Sequence, residues 1–335
     1  MVVAAASTVL TVGIVVAVAE VRAQLAGWLD PSWGTRSIRF DPVLGWDNVP
    51  GFRSDEWGGL TQEELGCRSP EPTPGLPSVV LLGDSVAWGF GVADDDALGF
   101  VLERRLRSKG LQVRNLAVPG YGLDQAVLRL ERDVAEIDDP EWVVLVICSC
   151  NDHADTVTNS AYGRRKPLLG SREVDRDLQP RSIRRWNRRN LLARSWTVEW
   201  LQGRWPASQA WIGWLAGDRW LPLDDHDAAR AAWIRRLRRD VDRRDMVALA
   251  VISPGDFDFS EPSRFYERTT GDLEAAGIAR VPMLEQWRAA GLGPSDMLID
   301  GCHLAPGGSR RMADAIASAI LGREPAPEQP AAPVS

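Results

Sequence analysis

The sequence predicts an α/β protein: one doubly wound parallel sheet with helices on both faces. Two observations lead there. Apolar, β-branched runs alternate with stretches of helical periodicity, as βαβ units require. Several of these runs also stop at small polar residues, where the open end of a parallel sheet collects its ligands. Length alone allows about two domains in 335 residues, yet strands and helices alternate over 77–322, broken by one insert, as one domain.

Residues 1–19, MVVAAASTVLTVGIVVAVA, carry no charge, and their length approaches the roughly 20 apolar residues that cross a bilayer. Residues 1–28 are therefore expected to be a transmembrane anchor, or a signal peptide cleaved after Ala17-Val18-Ala19. No Lys or Arg precedes the segment, so charge bias does not orient it. Residues 29–76 are rich in Pro, Gly and Trp and read as an extended arm rather than a domain.

VVLL (79–82) is a short run fit for a buried strand. DALGFVLERRLRSKG (96–110) follows as a helix closed by glycine. LQVRNLAV (111–118) is the next strand. In 123–138, Leu123, Val127, Leu130, Val134 and Ile137 share one helical face. WVVLVIC (142–148) is nearly all apolar, as a central strand buried on both faces must be. MVALAVIS (246–253) repeats it, and a helix over 306–321 closes the domain. On a helix near 229–241, Ala229, Trp233, Leu237 and Val241 point inward, which leaves Arg235, Arg236, Arg238 and Arg239 on a solvated face. The Pro/Ala-rich end, 323–335, reads as a disordered tail.

One segment, about 155–226, lacks a clear strand. Within 164–204 there are twelve Lys and Arg against four Asp and Glu, and seven of the fifteen Trp fall between 186 and 220. This insert reads as a surface helical excursion, a lid whose Trp faces stack on sugars, or an interfacial helix on a bilayer. The net charge of −7 speaks against a general nucleic-acid binder. Four cysteines, Cys67, Cys148, Cys150 and Cys302, permit disulfides or unpaired buried thiols, and no CxxC or Cys/His spacing suggests zinc.

The strand ends deliver Gly83-Asp84-Ser85, then Asn115 with Pro119-Gly120-Tyr121-Gly122, then Ser149-Cys150-Asn151-Asp152; Asp300-Gly301-Cys302-His303 stands ahead of the last helix. A hydroxyl, a glycine backbone, a carboxamide and an Asp/His pair at one crevice are the inventory of acyl transfer. The rival for Ser85 is a strand ending in an ordinary turn. Asp84 and Asp152 read as structural, holding the loops of their neighbours. His153 and His226 lack an Asp at the matching spacing, and His153 reads as a pocket wall.

GDS, NLAVPGYG, the ND pair and DGCH, in that order, resemble the SGNH (GDSL-type) hydrolases over about 77–321. RFDPVLGWDNVPG and ELGCR are similar to the segment before GDS in bacterial, often membrane-anchored members. The resemblance implies a flavodoxin-like sheet, with Ser85 as nucleophile, His303 as base and Asp300 as its orienter. It implies an oxyanion hole from the Ser85 and Gly120 backbone N–H groups and the Asn151 amide, with Gly122 in place of Gly120 if that loop aligns two residues later. The family's third block is usually G-x-N-D; Ser149 replaces its glycine, to crowd the acyl pocket or add a hydrogen bond. The implied activity is cleavage of small acyl esters, O-acetyl foremost, on cell-envelope or extracellular carbohydrate, with no cofactor or metal and a domain anchored outside the membrane or secreted. An O-acyltransferase, a lipid-acting esterase and a non-catalytic carbohydrate-binding protein are the alternatives.

Overall fold

The computed structural model describes residues 36–162, 164–183 and 217–322, with single positions among 11–18 and 211–215. Strands β1 (Ile38–Asp41) and β2 (Gly45–Asn48) form one antiparallel hairpin, and β3 (Arg53–Ser54) with β4 (Leu60–Thr61) a second. The central sheet takes β5 (Ser78–Leu82), β6 (Gln112–Asn115) and β7 (Pro140–Cys148). After a short hairpin, β8 (Ser160–Ala161) and β9 (Arg164–Arg165), it is completed by β10 (Val247–Ser253) and β11 (Ala279–Val281). All five strands are parallel, in the spatial order β6-β5-β7-β10-β11. Counted along the chain this is 2-1-3-4-5, the flavodoxin-like doubly wound order, which reverses between β5 and β7.

Alternation along the strands feeds two cores. Val80, Leu82, Val143, Leu145, Ile147, Ala250 and Ile252 face the helices Leu123–Asp133 and His226–Arg243. Val79, Leu81, Val144, Val146, Leu249 and Val251 face the helices Leu98–Leu106, Met283–Ala289 and Pro306–Ile320. The expected strands and helices are present, with ends shifted by up to five residues, the largest shift at the helix Leu123–Asp133, whose last predicted turn is 3-10.

Residues 36–76 are not an arm. Leu44 and Trp46 are wholly buried; Trp46 Nε1 donates to the Pro119 carbonyl at 2.9 Å, and Tyr121 Oη donates to the Trp46 carbonyl at 2.6 Å. Arg68 is buried against the Trp88 ring, 4.5 Å from its centroid, and donates to the Val92 carbonyl and the Asp94 carboxylate. A Pro/Gly/Trp-rich composition described the loops correctly and concealed the tryptophans that dock them.

The arginine face of His226–Arg243 is also corrected. Ala229, Trp233, Leu237 and Val241 do face inward, but Arg236 is fully buried as well, donating to Glu131 at 2.6 and 2.8 Å and to the Leu178 carbonyl. Arg235 and Arg239 pair with Asp175 and Asp177, so this face receives the segment around the helix Ser171–Asp175. Most of the Trp-rich stretch, 184–210, lies outside the described residues, as do nearly all of 1–28 and the tail 323–335. Among the described residues no helix is long and apolar enough to cross a membrane.

Candidate active site

Ser85 opens a four-residue helix, Ser85–Trp88, directly after β5. Gly83 makes that turn possible: its φ is +148°, and a Cβ there would lie 2.6 Å from the Val146 carbonyl oxygen. Asp84 caps the helix by accepting from the Val86 N–H at 2.9 Å. The nucleophile candidate therefore sits rigidly at the carboxyl edge of β5, beside β7, at the point where the strand order reverses.

His303 reaches it from the other end of the domain. Ser85 Oγ lies 2.9 Å from His303 Nε2, and His303 Nδ1 lies 2.8 Å from Asp300 Oδ2. Asp300 Oδ1 also accepts the backbone N–H groups of Cys302 and His303 at 3.2 and 2.9 Å. Burial works against the charge on Asp300, but these hydrogen bonds outweigh it and hold the carboxyl below its ordinary range. An ionised Asp300 accepting from Nδ1–H leaves Nε2 as the acceptor that faces the hydroxyl. The Phe90 ring packs on the imidazole with centroids 4.6 Å apart.

Gly120 lines the same pocket, and its φ of +76° with the Tyr162 ring above it leaves no room for a side chain. Gly122 does not line it: it precedes the helix Leu123–Asp133, packed against the Thr156 backbone. Asn151 borders the pocket from the end of β7. Its Nδ2 donates to Asp155 Oδ2 at 2.8 Å and to Tyr162 Oη at 3.0 Å, while Tyr162 Oη donates to Asp155 at 2.9 Å. Asn115 stays in the sheet: its amide donates to the Ala87 carbonyl and accepts from Ala117 N–H.

The pocket holds about 340 Å³ and is walled by Ile38, Phe90, Pro119, Tyr162 and Cys302 around the polar groups, open on one side. Sequence reasoning missed Ile38, Phe90 and Tyr162. Phe90 lies five residues after Ser85 and was the accessible one; nothing in the sequence marks Tyr162, held at φ +51°.

Ser149 does not crowd this pocket. Its Oγ bonds to the Asp258 carboxylate and accepts Gly255 N–H at 2.8 Å, so it ties β7 to the loop after β10. Asp152 accepts Cys148 N–H at 2.8 Å, a structural role as expected. Under the pocket lie several buried carboxyls. Burial raises Asp84 to about 6, against the pull of Val86 N–H, His303 and Asn151. Burial likewise raises Asp155, Asp124 and, with Asp84 as neighbour, Asp152. Asp124 is paired with the buried Lys166. His153 and His226 line a separate cavity of about 540 Å³ with Arg230 and Arg268, and His226 Nε2 lies 3.0 Å from the Leu221 carbonyl. All four cysteines are free thiols.

No protein-family profile matches the chain, and no curated protein matches it. Solved structures do. A lipase/acylhydrolase from Enterococcus faecalis is 13% identical, with a TM-score of 0.44 over 76% of this chain and 100% of its own. A catalytic mutant of Axe2, an acetylxylan esterase from Geobacillus stearothermophilus, is 16% identical, with a TM-score of 0.43 over 76% and 98%. A two-domain esterase active on acetylated mannans is 10% identical, with a TM-score of 0.44 over 77% of this chain and 53% of that one. The strand order is that of a doubly wound, flavodoxin-like sheet, and the four blocks singled out in the sequence stand at its carboxyl edge.

Proposed function

We propose that this protein is a serine esterase that removes small acyl groups, acetyl foremost, from carbohydrate. The observation that carries this reading is the Ser85–His303–Asp300 relay, with links of 2.9 and 2.8 Å, opening on a confined pocket. His303 Nε2 takes the hydroxyl proton as Ser85 Oγ attacks the ester carbonyl. The resulting oxyanion is met by the Ser85 and Gly120 N–H groups and the Asn151 amide. Collapse returns the proton to the leaving alcohol and leaves an acyl-serine. His303 then deprotonates a water that attacks the acyl carbon, and the acid and free Ser85 result. The apolar walls and small volume favour a short acyl chain, and the open side carries the sugar. Carbohydrate as the acceptor side rests on the family resemblance of the motifs, and export on the uncharged segment 1–19.

The test compares hydrolysis of a chromogenic acetyl ester by wild type and Ser85→Ala. Loss of at least about a thousandfold in kcat/KM with an unchanged Tm is expected. Equal activity in both overturns the assignment. If both are inert, labelling of Ser85 by a fluorophosphonate separates a transferase, which labels, from a binding protein, which does not.

A further inference from the structure

Three of the four cysteines, two at the end of β7 and one 154 residues from the first of them, meet beside the loop that carries His303. Cys148 ends β7, Cys150 follows it, and Cys302 stands between Gly301 and His303. Their sulfurs all lie within 4.8 Å of one another, and those of Cys148 and Cys302 are 3.5 Å apart across 154 residues. Cys150 Sγ also faces the Gly301 carbonyl at 3.8 Å. Around one zinc ion at about 2.3 Å, tetrahedral geometry sets sulfurs about 3.8 Å apart, within the spread of this cluster.

Its surroundings favour a cation of charge two. Asp84 is the charged neighbour of Cys148 and Cys302, and Asp256 and Asp258 are those of Cys150. The Asp256 carboxylate stands 2.9 Å from where a side chain on Gly301 would begin. Three thiolates among carboxylates are unfavourable alone and compensated by a soft divalent ion. A disulfide would engage two sulfurs and leave the third beside it. Cys302 lines the open pocket, which provides an entry path and leaves the fourth position accessible to solvent.

We propose that Cys148, Cys150 and Cys302 form a three-thiolate site for a soft divalent cation, zinc foremost, distinct from the Ser85 relay. Binding releases the thiol protons and forms three metal–sulfur bonds, with no change of oxidation state. It ties the loop that carries Asp300 and His303 to the end of β7.

The reduced, metal-free full chain would be titrated with Co²⁺ and then Zn²⁺. One equivalent of Co²⁺ is expected to give a thiolate-to-cobalt charge-transfer band that Zn²⁺ abolishes. Cys150→Ser should weaken binding at least about tenfold, the lower end of what losing even an outer-shell partner costs, and Cys67→Ser should leave it unchanged. Should Cys150→Ser fail to fold, iodoacetamide labelling of the wild type gives the same answer, because Zn²⁺ should slow alkylation of Cys150 and Cys302. A missing band, a band that survives Cys150→Ser, or alkylation indifferent to Zn²⁺ overturns the site. So does a chain that closes a Cys148–Cys302 disulfide in air and binds no Co²⁺ after reduction.

Discussion

Tyr162 shows how one side chain shapes this pocket. Its ring covers Gly120, and its hydroxyl joins Asn151 to Asp155. Truncating it removes a wall without touching the relay. Tyr162→Ala should therefore raise the ratio of butyryl to acetyl ester hydrolysis by about tenfold or more, given what each methylene is worth in such a pocket; p-nitrophenyl esters of both lengths would read it. An unchanged ratio would mean the acyl chain lies elsewhere. The four motif blocks were legible because each is a run of residue types that only strand-end chemistry needs together. Tyr162 was illegible because its place depends on a left-handed turn in a hairpin of two-residue strands, with no pattern around it.

The hairpin of β1 and β2 acts on the site through packing. Trp46 fills the space behind the Pro119–Tyr121 loop and is hydrogen-bonded to it twice, donating from its indole to the Pro119 carbonyl and accepting at its backbone carbonyl from Tyr121. Trp46→Ala should cost about 3–5 kcal/mol in urea unfolding, the usual range for emptying such a core site. The helix His226–Arg243 is held differently. Arg236→Met strands Glu131 under the helix and should destabilise by about 3 kcal/mol, whereas the double change with Glu131→Leu should recover much of it. Equal loss in both would show that Arg236 contributes only packing. At this scale the long strands were readable from apolar β-branched runs. The three-residue β11 and the helices around it gave no signal, because Ala279-Arg280-Val281 owes its strand state to pairing with β10. The buried Arg236 was read as solvated because charge says nothing of a partner 105 residues away.

For the whole molecule, the buried carboxyls set the response to pH. Asp84 has its folded pKa raised from 3.8 to about 6, so the native state holds its proton more tightly than the unfolded chain. The stability this provides is complete below pH 4 and is lost as pH rises through about 6. Asp84→Asn keeps the helix cap and cannot ionise. Its unfolding free energy relative to wild type should thus climb between pH 4 and 7, by on the order of 1–3 kcal/mol. A flat difference across that range would place the proton on another of the buried carboxyls.

The 218 residues that separate Ser85 from His303 have a consequence in time. The serine leaves the ribosome 218 residues before the imidazole, and the two histidines between them, His153 and His226, line a different cavity. A chain still being made therefore carries the Ser85 hydroxyl without its His303 partner. Under the proposed mechanism, ester cleavage begins only when the helix Pro306–Ile320 docks and brings the loop before it home. Turnover would then report that this segment has folded.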